Sequence, residues 1–563
     1  MAAGPGSANA AVSGGAATGP GGVAVGGSAA AGATAGAPGV AGGGGGTGPA
    51  GPNGAATAAA ADLSHCDKNG RQIGPPGYVY MPPCAPVWHG GDNGGTTMTG
   101  VDATHINYVF YASQSNAQVN AILATQALAS TAQQGCEALR AFNTEVNKRW
   151  EHYGRTFVSL DGPSANKGSA QDTGSCHTPF FQGQCQLTPP DPPCNRAEAK
   201  VIVAMHPAIV LAPIADTALY DELAKDHIIV IGGGEGPESY YDQANGYLYG
   251  LLMDGTRQAL YTAEYWCKKL NNKPAKFAGP DVTTARGWGN PPTAVPIRKV
   301  AVSFPENNGD EVFKLSVDYF KSLVTGKMCN TPGGVLELPY ASDINTAQQQ
   351  SQNAVQQMIQ NHITTGICWC DPIAPVFGTA AEHSQGYFPE QLIIGVGLID
   401  YDQLGRLYDP QEWAHAFGVS DLALSPPFAK SDAPQWFVDA GDSGQATVPD
   451  NAIAPFFSLM GSGFQLAGPK PTPQKIHDGL TSAPLEGGWA LTHDPHMILV
   501  GFKAPSPYTA AEDTREVYWS QTRPSEVDGK PGSYCPVNGG QRYNLGEWGT
   551  GDPDAFDPAH NGC

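Results

Sequence analysis

The first sixty residues contain no charged side chain, and nowhere does the chain hold an apolar run near the roughly 20 residues a membrane span requires. Residues 1–60 include 41 alanines or glycines, and their only larger aliphatics are Val12, Val23, Val25 and Val40. Such a stretch buries too little apolar surface to offset the entropy of ordering it, so residues 1–61 are expected to be a disordered tether. They also lack the basic start of a signal peptide, which places any export signal or membrane anchor outside the sequence as written. Basic residues are scarce: 30 Lys and Arg stand against 51 Asp and Glu, a net charge of −21. That surface repels phosphate backbones and argues against nucleic acid as a partner. There is no CxxC pair, no GK[ST] after a glycine-rich strand end, and no G-x-S-x-G elbow.

Cysteine, in contrast, is plentiful. Twelve are present, an even number. Cys66 and Cys84 flank a Pro/Gly-rich segment, Cys176, Cys185 and Cys194 crowd one loop, and Cys535 and Cys563 lie in the loop-rich tail. Placement beside Gly and Pro fits disulfide staples and an oxidising compartment better than zinc. The closest spacing, Cys368-Trp-Cys370, stands at a strand end without a partner pair. Which cysteine joins which does not follow from the sequence.

From Arg298 to Asp400 the chain repeats one unit. RKVAVSF, a polar turn and VFKLSVDYFKSLVTG are followed by VLELPY and INTAQQQSQNAVQQMIQNH, then ITTGICW, DPIAPVFGTAAEH and QLIIGVGL. In the second helix Ala347, Ala354, Val355, Met358 and Ile359 share one face. Short apolar strands alternating with helices imply an α/β fold, with parallel sheets and right-handed crossovers. The same rhythm runs earlier through THINYVFY, TFVSL, AIVLAPI and HIIVI, interrupted by the three-cysteine excursion at 161–195.

This order, together with GVDATHINYVFY, FNTEVNKRWEHYGRTFVSL and NGGQRYNLGEW, resembles the extracellular solute-binding proteins of the Leu/Ile/Val-binding type over roughly residues 97–550. The resemblance implies two doubly wound parallel-sheet lobes joined by crossing hinge strands. We divide the chain accordingly into a tether (1–61), a Cys-bearing lead-in (62–96), a first lobe (97–297 with 427–485) and a second lobe (298–426 with 486–563). The crossings are expected at residues 289–296 (GNPPTAVP), at 425–427 and near Gly487. The resemblance also implies a small polar solute held between the lobes, permease subunits of an ABC-type importer as partners, an extracellular location, and no catalysis. An extracellular receptor or sensor module with the same fold is the alternative.

Ligands of parallel α/β sheets sit beyond the carboxyl ends of the strands. Those ends offer Ser113, Gln114, Gly234, Glu235 and Tyr240 in the first lobe, and Asn307, Asn308, Asp371 and Asp400 in the second. At the glycine-rich end after HIIVI the resembled family holds an amino acid's carboxylate through a small residue and a hydroxyl. Here Gly234 and Glu235 stand instead, and Glu235 would repel a carboxylate. The set contains acids and no Lys or Arg, which suits a cationic or hydrogen-bond-donating ligand. No catalytic set emerges. His493-Asp494-Pro-His496 precedes a strand and is read as a turn, and the carboxylates of Asp400 and Asp402 as helix caps. No metal and no cofactor is expected.

Overall fold

The computed structural model describes residues 61–114, 116–168, 176–232, 236–307, 311–560 and 563. The expected tether therefore lies outside the described residues, apart from Ala61. No described helix is long and apolar enough to cross a membrane.

Two parallel sheets organise the chain. The first contains β1 (His105–Gln114), β2 (Thr156–Ser159), β3 (Phe181–Gln186), β4 (Ile209–Ala212), β5 (Ile229–Gly232) and β6 (Leu248–Tyr249), in the order β2-β1-β4-β5-β6, with β3 paired to β1. Its helices are α1 (Ala117–Ala124), α2 (Ala132–Arg149), α3 (Pro192–Val203), α4 (Thr217–Lys225) and α5 (Glu238–Gln243). Thr131 and Gln134 form a capping box that starts α2, whose buried residues include Leu139, Phe142 and Val146. The excursion at 161–195 is stapled by Cys136–Cys176 and Cys185–Cys194. It returns to the sheet as β3, which takes over beside Tyr111–Gln114 where β2 stops beside Tyr108.

Helix α6 (Gly255–Tyr265) follows. The second sheet comprises β7 (Val300–Pro305), β8 (Val335–Tyr340), β9 (Thr365–Cys368), β10 (Glu390–Ile393) and β11 (Ala416–Ser420), in the order β8-β7-β9-β10-β11. Its helices are α7 (Val312–Val324), α8 (Ala347–Gln360), α9 (Ala374–Ser384), and the short α10 (Asp402–Gly405) and α11 (Pro410–Trp413). Both sheets thus share one doubly wound order, second-first-third-fourth-fifth. Helices α12 (Asp432–Ala440), α13 (Ala454–Ala467) and α14 (Pro473–Ser482) come next. Of these, α12 and α13 pack back on α2, where Phe142, Trp436 and Phe457 meet edge-on or tilted. A hairpin of β12 (Glu486–Gly487) and β13 (Leu499–Val500) precedes β14 (Thr514–Pro524), β15 (Pro531–Pro536) and β16 (Arg542–Tyr543), which extend the second sheet antiparallel beyond β11.

All twelve cysteines are paired. Cys368 and Cys370, weighed above as a zinc pair, are joined to each other.

The first crossing differs from its expected place. Helix α6 packs on α7, and the segments that follow the two helices are joined by Cys267–Cys329. Tyr265 donates its hydroxyl to Glu516, 2.9 Å away, and Trp266 its ring N–H to Thr331 at 2.8 Å. The chain therefore leaves the first sheet at residues 250–254, directly after β6. The glycine- and proline-rich 289–296 is a turn within the second lobe's surroundings. An apolar helical stripe shows that a helix is covered, but not by which sheet. The second crossing runs from β11 to α12. The third spans 501–513, after the β12–β13 hairpin, which lies against the lead-in through Tyr80 and Ile498.

Candidate functional site

The three crossings lie side by side and are tied by polar groups. Gly250 bridges Thr509, and Asp421 accepts the Met253 N–H at 3.3 Å. Leu424 donates its N–H to Pro495 at 2.9 Å. Arg542 donates to the carbonyls of Asp421 and Leu422 at 2.7 and 2.8 Å and to the Asp513 carboxylate at 2.8 Å, while Arg515 reaches the Leu422 carbonyl at 2.9 Å. Asp400 belongs to this cluster and not to a ligand cleft. It is 3 % exposed, and the cations that act on it are Arg515 and Arg542. Burial raises its carboxyl, and burial with Asp400 alongside pushes Asp421 up to about 8. The basic half of the cluster sits about 115–140 residues downstream of Asp400, beyond the reach of local pattern.

Loops beyond the carboxyl ends of the two sheets meet: Val119 and Thr188 share a cavity with Tyr340 and Asp371, and Tyr240 shares a groove with Glu311. The strand order reverses between β1 and β4 in the first and between β7 and β9 in the second, the switch points where such sheets hold ligands. Ser113 is buried at the end of β1, while Gln114 is paired across to Gln186 of β3 and so lies in the sheet, not in a loop. On the opposite side Asn307 and Asp371 converge on the loop after β8. Asn307 exchanges two hydrogen bonds with Ser342, at 3.0 and 3.1 Å. Asp371 accepts the Tyr340 hydroxyl at 2.7 Å and caps the start of α9 through the N–H groups of Ile373 and Ala374 at 2.9 and 3.1 Å. A cavity of about 410 Å³ opens at this rim, and Val119 and Thr188 of the first lobe face into it.

Tyr240 occupies a separate place. It lines a groove of about 480 Å³ between α4 and α5 of the first lobe and the start of α7, where Glu311, Val312 and Leu315 form the far wall. Burial, reinforced by the neighbouring Asp221 carboxylate, pushes its hydroxyl well up. Gly234, Glu235 and Asn308 lie outside the described residues. Of the nine expected contacts, the structure thus joins Asn307 and Asp371 at one rim, buries Ser113 at the end of β1, and separates Tyr240 and Asp400 from that rim. The sequence reading missed Tyr340 and Ser342. Both stand at the end of VLELPY, and only the return of β8 beside β7 brings them to Asn307.

No family model matches this chain, and neither does any curated protein. Among solved structures it is similar to a solute-binding protein of an ABC transporter from Rhodopseudomonas palustris HaA2 in complex with p-hydroxybenzoic acid, at 10% identity and a TM-score of 0.47, covering 81% of this chain and 100% of that one. It is similar to a fatty acid ABC transporter substrate-binding protein from Thermomonospora curvata, at 12% identity and a TM-score of 0.48, covering 78% and 94%. A third is the branched-chain amino acid transporter substrate binding protein LivJ from Streptococcus pneumoniae in complex with isoleucine, at 11% identity and a TM-score of 0.44, covering 77% and 99%.

Proposed function

We propose that this chain is an exported solute-binding protein, a two-lobed clamp that captures a small polar solute between its sheets for an ABC-type importer. The observation that carries the reading is the topology: two sheets of one doubly wound order, strand-end loops of both sheets lining shared cavities, and three adjacent crossings between them. Lobes joined only by such segments open and close by hinge motion, and a ligand touching both favours the closed form by its differential affinity. Six disulfides support an oxidising, extracellular setting. The second-lobe rim offers the Tyr340 hydroxyl and the Asp371 carboxylate; the first lobe offers Ser113 and the backbone near it.

Small-angle scattering combined with calorimetry tests this. Amino acids, amides, polyamines and sugars are titrated one by one. The bound solute should reduce the radius of gyration, and Asp371→Ala should weaken its binding by about 2–5 kcal/mol if that carboxylate is buried against the ligand. A solute that binds tightly and leaves the radius unchanged would sink the clamp.

A further inference from the structure

The second lobe is hollow where a doubly wound layer is usually filled. Helices α8 and α9 pack together over one face of the second sheet, and the 410 Å³ cavity runs between them and the strands. Two glycines leave the space. Gly366 lies within β9, between Ala301 of β7 and Gln391 of β10; a Cβ there would touch Met358 and Gln391 at 3.4 and 3.5 Å, so the glycine leaves room for about one methyl. Gly378 stands in the middle of α9, where only proline is less favoured, and a Cβ on it would meet nothing within 4 Å. Both line the cavity. A glycine inside a strand often marks close approach of a ligand.

The cavity runs as a slot along α9. Ala374 lies at the rim and Glu382 at the inner end, and α9 advances roughly 12 Å between them. Leu338, Val355 and Met358 supply apolar wall. At the inner end one Gln391 amide nitrogen donates to Glu382 at 3.0 Å and to Glu412 at 2.9 Å. Glu382 is 5 % exposed and Glu412 fully enclosed, with one Glu412 oxygen lacking any partner. The charged groups acting on the pair are Asp409, Asp281 and each other. The nearby cations are committed elsewhere: His383 lies 2.6 Å from Asp409, and Arg286 lies 3.1 Å from Asp281 while it faces the Tyr387 ring.

We propose that this slot binds a primary amine on an apolar chain, an aliphatic or arylalkyl amine, with its ammonium group against Glu382 and its hydrocarbon between Gly366 and Gly378. Apolar wall ending at the Glu382 carboxyl, with Glu412 behind it across Gln391, rejects a carboxylate head and leaves an alcohol without a charge partner. Burial pushes the Glu382 carboxyl up to about 8, so the empty slot holds it protonated at neutral pH. An ammonium ion arriving from water then forms an ammonium–carboxylate pair and sends the Glu382 proton to the buffer. Amine affinity should accordingly rise about tenfold from pH 6 to pH 7. The inference deepens the clamp reading and rests on it only for the entrance, where Val119 and Thr188 face the mouth.

Calorimetry of the full chain with octylamine, 1-octanol and octanoate, at pH 6 and 7 and in two buffers of different ionisation enthalpy, reads each step. Octylamine should bind at least tenfold tighter than the other two, releasing up to one proton. Glu382→Gln should lose both the preference and the proton release while retaining 1-octanol. Gly378→Phe, which fills the slot and improves the helix, should melt no lower than the parent and bind none of the three. Octylamine binding that survives both substitutions, a preference for octanoate, or no amine binding by the folded parent overturns the proposal. Scattering keeps the two readings apart. Octylamine bound in the slot without compaction leaves the slot standing and the clamp fallen. A different solute that closes the lobes while octylamine fails to bind gives the reverse.

Discussion

Arg298 and Glu390 fasten the amino ends of β7 and β10 to each other. Both guanidinium donors lie 2.7 Å from the two carboxylate oxygens, and the side chains are 1 % and 0 % exposed. Glu390 also accepts the Thr365 hydroxyl at 2.8 Å and the Phe277 N–H at 3.1 Å. Every oxygen is used, which is the condition under which a buried pair is tolerated. Glu390→Ala leaves an uncompensated guanidinium in the core and should cost about 3–5 kcal/mol in urea unfolding, whereas an exposed pair such as Lys314–Asp318 should cost under about 1 kcal/mol. Equal effects from the two would mean that Arg298 finds water or another partner.

At the scale of elements, α6 is the piece whose allegiance decides where the first lobe ends. Its disulfide Cys267–Cys329 closes 62 residues and fixes α6 to the loop after α7. Chain entropy puts the stabilisation from closing such a loop at about 4 kcal/mol. Replacing both cysteines with serine should lower the unfolding midpoint of the second lobe. If the first lobe melts separately, its transition should hold still. A shift in the first lobe's transition alone would return α6 to that lobe. Strand β3 is the second such element. FQGQCQ lies inside a stretch rich in Gly, Pro and Gln, and it becomes a strand because β1 outlasts β2 and leaves Tyr111–Gln114 in need of a partner.

For the whole molecule, the buried acids set the pH response. Glu382 and Asp421 are pushed up to about 8, and Asp432 and Asp450 to about 7, in each case by burial first. The folded protein keeps these groups protonated where the unfolded chain has already ionised them. Their contribution is therefore full below about pH 4 and is lost as pH rises toward 7–8. Asp439, raised by burial but brought down to about 2 by its hydrogen bonds with Glu145, Arg149 and Lys148, acts in the opposite sense only below pH 4. The melting temperature should peak near pH 5 and decline toward pH 8. Asp421→Asn should raise it by several degrees at pH 8 and change little at pH 5. A profile that climbs steadily to pH 8 would show these acids ionised in the native state.

The alternation of short apolar strands with helices was enough to establish the parallel α/β class, because the periods of burial are local properties of the chain. Cysteines beside glycine and proline marked the loops that are stapled. The rims at Asn307 and Asp371 were legible for the same reason: residues just past a buried strand lie at a sheet's edge whatever the partner. Tertiary structure alone decided the rest. Asp400 looks like any strand-end acid until the fold buries it within the field of Arg515 and Arg542, more than a hundred residues later. Helix α6 shows its apolar stripe but not the sheet that covers it. The slot at Gly366 and Gly378 arises from side chains that are missing on two separate elements, and a cavity exists only once those elements face each other.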